Sequence, residues 1–274
     1  MKSNISSNLS DPSRPVDNRY IHISGAFAVG GAFTRVGTQK VFVPIPSVAS
    51  VELPMTGGLS TAKSPRWSLG LRKTKLMSIA GATVTCKSKH VAPNDPKGSS
   101  VNVDVKGVNV EGVFRLKRAL LNLESEHAPG NRYPSIKFGA TSIEGMVLGK
   151  LKVTVELDLR AFNTFPTADT LESALLSGDK SISPGVLNSF LRNSDGSLHR
   201  SQGGYSLGSI VKKITGVPRE WIEENGYTIV WPGFGKVILG EILISPSVRR
   251  VTLVRLKHCD IEIGGGCDGG SGWP

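Results

Sequence analysis

The chain has 274 residues, with 33 Lys+Arg against 22 Asp+Glu, giving a formal net charge of +11. A hydrophobic share of 39% beside only 20% charged residues excludes a disordered chain. Three cysteines are too few, and odd in number, for a disulfide scaffold, and no run reaches the roughly 20 apolar residues of a spanning helix.

Residues 1–19 are rich in Ser, Asn, Pro and Asp without apolar periodicity, which predicts a flexible N-terminal arm. The arm lacks the apolar core of a secretory signal, so the expected location is the cytoplasm. From Tyr20 to Arg160 the chain reads as strands and turns. Leu151 to Arg160 alternates without error: Leu151, Val153, Val155, Leu157 and Leu159 on one face, Lys152, Thr154, Glu156, Asp158 and Arg160 on the other. Period two marks a half-buried strand with its charged face in water. Val101 to Lys106 repeats the pattern, and one-sided alternation is the mark of antiparallel sheets.

A helical insert is expected at about 166–225. Thr167 caps a helix with Leu171, Ala174 and Leu175 on one face, ending near Gly178. Ser183-Pro184 opens a second helix with Leu187, Phe190 and Leu191 inward. Leu207, Ile210, Val211 and Ile214 have the spacing of a third. Strands then resume at Tyr227–Trp231, Lys236–Ile244 and Val248–Lys257. Val237–Ile244 is apolar on both faces except Glu241, whose carboxylate calls for Arg249, Arg250 or Arg255 on the next strand. Six glycines in the last eleven residues predict a flexible tail over 264–274 that ends in an exposed Trp273.

The expected architecture is therefore mainly β: a large antiparallel β-sandwich or curved sheet forming one domain over 20–263, with a short helical insert between its strands.

No constellation carries catalysis. Gly204-Tyr-Ser206-Leu-Gly208 has the nucleophile-elbow pattern, and Ser206, Glu241 and His258 follow a hydrolase order. The strand–turn–helix alternation such a serine requires is missing. Gly145 to Lys150 lacks the Ser/Thr of a phosphate loop and is followed by a perfect strand, so it reads as a hairpin turn. The five histidines stand singly, and His258-Cys259 with Cys267 falls short of a four-ligand zinc site. No catalytic, cofactor-binding or metal residue is assigned, and no cofactor is expected.

Charge is the strongest global signal, and it draws polyanions or anionic membranes. The basic clusters include Arg115, Lys117 and Arg118; Lys212 and Lys213; and Arg249, Arg250, Arg255 and Lys257. Aromatics make up 6% of the chain, too few for base-stacking platforms, so no specific nucleic-acid readout is expected. The leading expectation is a non-enzymatic protein that works by binding or assembly, with itself or other subunits, through Trp273, Arg249, Arg250, Lys212 and Lys213. The alternative is a polyanion- or membrane-surface-binding protein, including a barrel-forming one; the third is a hydrolase using Ser206.

Overall fold

The computed structural model describes residues 20–272 except 37–38, 72, 90–95, 129–130, 132 and 203. In chain order the strands are β1 (Tyr20–His22), β2 (Gly25–Val36), β3 (Gln39–Glu52), β4 (Leu59–Ser64), β5 (Trp67–Leu71), β6 (Thr74–Ile79), β7 (Gly81–Lys89), β8 (Lys97–Val110), β9 (Phe114–His127), β10 (Ser135–Phe138), β11 (Ser142–Glu144), β12 (Met146–Leu148) and β13 (Leu151–Leu157). Helices α1 (Leu159–Thr164), α2 (Ala168–Ser177) and α3 (Pro184–Ser189) follow. The remaining strands are β14 (Ser206–Ser209), β15 (Val211–Thr215), β16 (Thr228–Trp231), β17 (Gly235–Ile244), β18 (Val248–Leu256) and β19 (Ile261–Gly272).

The strands form two antiparallel sheets. The first runs β14-β17-β18-β19-β2-β3, with β16 also on β17 and β1 also on β19. The second runs β15-β13-β12-β9-β8-β6-β5, with β10 and β11 on β9 and the β4–β7 pair joined to β8. Strands β2 and β19 pack across β8 and β9, so one hydrophobic cluster is shared by both sheets. Alternation builds it: Val101, Val103 and Val105 point inward from β8, while Asn102 and Lys106 are exposed and Asp104 is half-buried.

The mainly antiparallel β fold and the helices at Thr167 and Ser183 match the sequence pattern. The Thr167 hydroxyl accepts from the Thr170 N–H, and Gly178 ends α2 in a left-handed conformation. Glu241 finds its cation in Arg255, at 2.7 Å, and Arg255 also holds Glu262 at 2.7 Å.

Four expectations need correction. The tail over 264–274 is instead a central strand as far as Gly272: β19 pairs with β18 on one side and with β2 and β1 on the other. Its glycines answer close packing rather than flexibility. A Cβ on Gly265 would lie 2.3 Å from the Phe27 ring, and one on Gly266 would lie 2.9 Å from Val101.

The helix expected over 207–214 is two strands. Here β14 pairs with β17 in the first sheet, the chain crosses at Ile210, and β15 pairs with β13 in the second. Strand β15 buries Val211 and Ile214, three apart because its register shifts between them, and Ile210 is buried at the crossing, so the apolar spacing looks helical.

The strand from Leu151 stops at Leu157, because Asp158 caps α1 by accepting from the Ala161 N–H. The helical segment thus starts at 159 and reverts to strand before 225. Leu191, expected inward from α3, is exposed, whereas Val186 is buried. Residues 1–19 and Trp273 lie outside the described residues.

Candidate functional site

The outer face of the second sheet carries one row of side chains across four strands. Asn109 on β8 stands opposite Arg115 on β9, Arg115 opposite Val147 on β12, and Val147 opposite Lys152 on β13. Residues in register on neighbouring antiparallel strands share a face. Strand spacing puts the Arg115 and Lys152 backbones about 10 Å apart, and Lys117 follows Arg115 on the same face about 7 Å along β9. Lys150, from the turn between β12 and β13, completes the walls of a groove lined by these four cations. Its floor is kept low by Gly145, at φ +60, where a Cβ would lie 2.7 Å from that of Lys117.

Among the described residues, no carboxylate lies within 4.0 Å of Arg115, Lys117, Lys150 or Lys152, because the nearby acids are committed elsewhere. Asp104 accepts two hydrogen bonds from Arg118, at 2.8 and 3.1 Å, and sits 3.3 Å from Lys106. Burial alone would raise the Asp104 pKa; the bonds from Arg118 and Lys106 outweigh it and hold the carboxyl below its usual range. One end of the face is thus neutralised and the groove keeps its charge. At the groove's edge a Cβ on Gly149 would meet the Trp231 ring at 3.2 Å, and Trp231 stacks on Phe234 at 4.7 Å between centroids.

Of the five residues expected to meet a partner, Trp273 lies outside the described residues and the other four are not brought together. Arg249 is 1% exposed and lies inside the protein. Its guanidinium donates to the carbonyls of Ile136, Phe162, Phe165 and Pro166, tying β18 to β10 and to α1. It is a structural clamp, not a partner contact; burial pushes its pKa down to about 9, still charged at neutral pH. Arg250 is exposed and pairs with Glu262 at 3.2 Å. Lys212 and Lys213 are exposed on the edge strand β15, with Lys212 3.6 Å from Glu156 and Lys213 in register with the same residue.

The hydrolase constellation is separated as well. Ser206 stands opposite Ile244 and Ser209 opposite Glu241, while His258 packs beside Gly235 at the other end of β17. Gly235 to Ile244 spans about 30 Å of strand. Cys267 is half-buried in β19 and its thiol is pushed up by burial, so it is packed in the sheet. Among the described residues no group of three His, Cys, Asp or Glu is placed to hold a metal ion. No helix among them is long and apolar enough to cross a membrane.

Half of the groove was readable in sequence. Arg115 and Lys117 stood out as a basic cluster, and the alternation of β13 placed Lys152 on the wet face. That β12 inserts between β9 and β13 and brings the two sets together is a matter of sheet order, which no local pattern encodes.

A profile of the domain of unknown function DUF8256 matches residues 20–245. The chain belongs to this family. All four groove cations lie within the matched DUF8256 segment, whereas β18 and β19, central to the first sheet, lie beyond it. No curated protein and no solved structure matches the chain.

Proposed function

We propose that this DUF8256 protein works by binding rather than by catalysis, and that the groove over β9, β12 and β13 takes an extended polyanion. The observation that carries this reading is the convergence of Arg115, Lys117, Lys150 and Lys152 on one groove, with no acid among the described residues paired to them. The groove is shallow and open to solvent, and the small number of aromatics favours charge recognition over base reading.

The test replaces all four cations with Gln and compares that protein with a control lacking Lys40, Lys73, Lys137 and Lys180, exposed lysines outside the groove. Binding of a fluorescent heparin fragment and of single-stranded DNA is followed from 50 to 300 mM salt. The groove variant is expected to lose at least tenfold in affinity, and its log–log salt slope to fall by about 3. An equal loss in the control would reduce the effect to net charge and end the proposal.

A second reading, self-association, is favoured by β3, an edge strand on which Phe42 is 75% exposed. Pro44 and Pro46 on the same strand limit edge pairing. Light scattering of Phe42→Ser beside the parent chain decides it: a large particle that dissociates supports assembly, and a monomer in both rejects it.

A further inference from the structure

A second cavity lies between α2 and the first sheet, remote in sequence from the groove. Its walls are Leu171 and Leu175 from α2, with Phe190, Leu198 and Ile244; its polar groups include Asp169, Glu172, Arg200 and Ser206. The volume is about 120 Å³, slightly less than the roughly 150 Å³ of an engineered apolar cavity that accepts benzene. That space suits one ring or a branched aliphatic group, not a longer tail.

The polar groups decide what such a group carries. Among the described lining residues Arg200 is the cation, and it donates to Glu172, one of two carboxylates there. Asp169, exposed in the first turn of α2, is the surplus charge. Although the chain as a whole carries +11, the described lining residues of this mouth carry two carboxylates against one cation. Ser206 is 7% exposed and lines the cavity, and among the described residues its hydroxyl makes no hydrogen bond. A carboxylate ligand would face two carboxylates. An ammonium donates up to three hydrogen bonds, for which Asp169, Glu172 and the Ser206 oxygen are acceptors at one site.

We propose that this cavity binds a small primary amine bearing a ring-sized apolar group, with the apolar part between α2 and Phe190 and the ammonium at the Asp169–Glu172 mouth. The wall is held in place independently of a ligand: Thr167 caps α2, and Arg192 donates to the Leu175 carbonyl at 2.7 Å near its other end.

The experiment titrates the full chain with phenethylammonium chloride, followed by calorimetry and by ligand-observed NMR. Saturable one-to-one binding with a Kd of order 0.1–1 mM is expected for a ligand of this size. The neutral 2-phenylethanol and the anionic phenylacetate should bind at least tenfold more weakly. Leu198→Trp, which fills the cavity, should abolish binding, and Glu172→Gln should weaken it at least fivefold; far-UV circular dichroism verifies that each variant is folded. Should Leu198→Trp fail to fold, Ser206→Val serves in its place. Equal binding of the amine and the alcohol, or binding unchanged in the folded variants, would overturn the proposal. The groove variant should bind the amine normally, so failure here leaves the polyanion reading standing.

Discussion

Arg249 and Asp268 stand directly opposite each other on β18 and β19, both buried, and their charged groups turn to different partners. Arg249 donates to four main-chain carbonyls and lies 5.9 Å from the centre of the Phe162 ring. One Asp268 oxygen accepts from Ser24 and Ser99, both at 2.6 Å, from Ser125 at 3.3 Å, and from the Gly269 N–H at 3.0 Å. Among the described residues the buried Asp268 Oδ2 has no hydrogen-bond partner. The arginine thus fastens α1 and β10 to the first sheet, and the aspartate fastens β19 to the β1–β2 link at Ser24, to β8 and to β9.

Arg249→Leu leaves four carbonyls short of a donor, and should destabilise the chain by about 3–5 kcal/mol. Arg249→Lys should recover less than half, because an ammonium is a point charge and cannot fork between Ile136 and Pro166. A urea midpoint that falls at constant m-value is the expected reading; an unchanged midpoint would refute the clamp.

Asp268 gives a pH dependence of definite sign. Burial raises its pKa from 3.8 to about 6, against the opposing hydrogen bonds from Ser24 and Ser99. The folded state therefore holds this proton more tightly than the unfolded state. Its contribution is fully present below about pH 4, is lost as pH rises through 6, and is constant above that. The shift corresponds to roughly 3 kcal/mol. In paired denaturation curves Asp268→Asn should gain on the parent as pH rises from 4 to 7. Parallel curves would show that this carboxyl does not titrate in that window.

Truncation after Ile263 should unfold the protein, because it removes most of a strand between β18 and β2. Gly265→Ala is the milder probe, since its Cβ would meet the Phe27 ring. A loss of about 1–3 kcal/mol is expected, the range for overpacking. A fully folded truncation product, judged by circular dichroism and thermal melting, would return residues 264–272 to the status of an appendage.

Arg255→Leu should strand Glu241, which is 9% exposed, and cost about 3–5 kcal/mol. Adding Glu241→Leu should restore much of the loss. Additive effects in the double-mutant cycle would show that the two side chains do not depend on each other.

The sequence by itself determined the local rules: period-two alternation in β8 and β13, the Thr167 cap of α2, the start of α3 at Pro184, the hairpin at Gly149-Lys150, and a carboxylate at Glu241 in need of an arginine. These are legible because side-chain direction follows from backbone period and because capping involves residues three or four apart. Only the tertiary structure decided which glycines are packed, which of three arginines meets Glu241, and that Arg249 is internal. It also joined Arg115 and Lys117 to Lys150 and Lys152. The physical reason is common to all four: each depends on which strand lies beside which, and that order is set by burial of the whole core rather than by any local stretch. A glycine-rich run looks the same whether it is loose or whether Phe27 and Val101 fill the space its side chains would take.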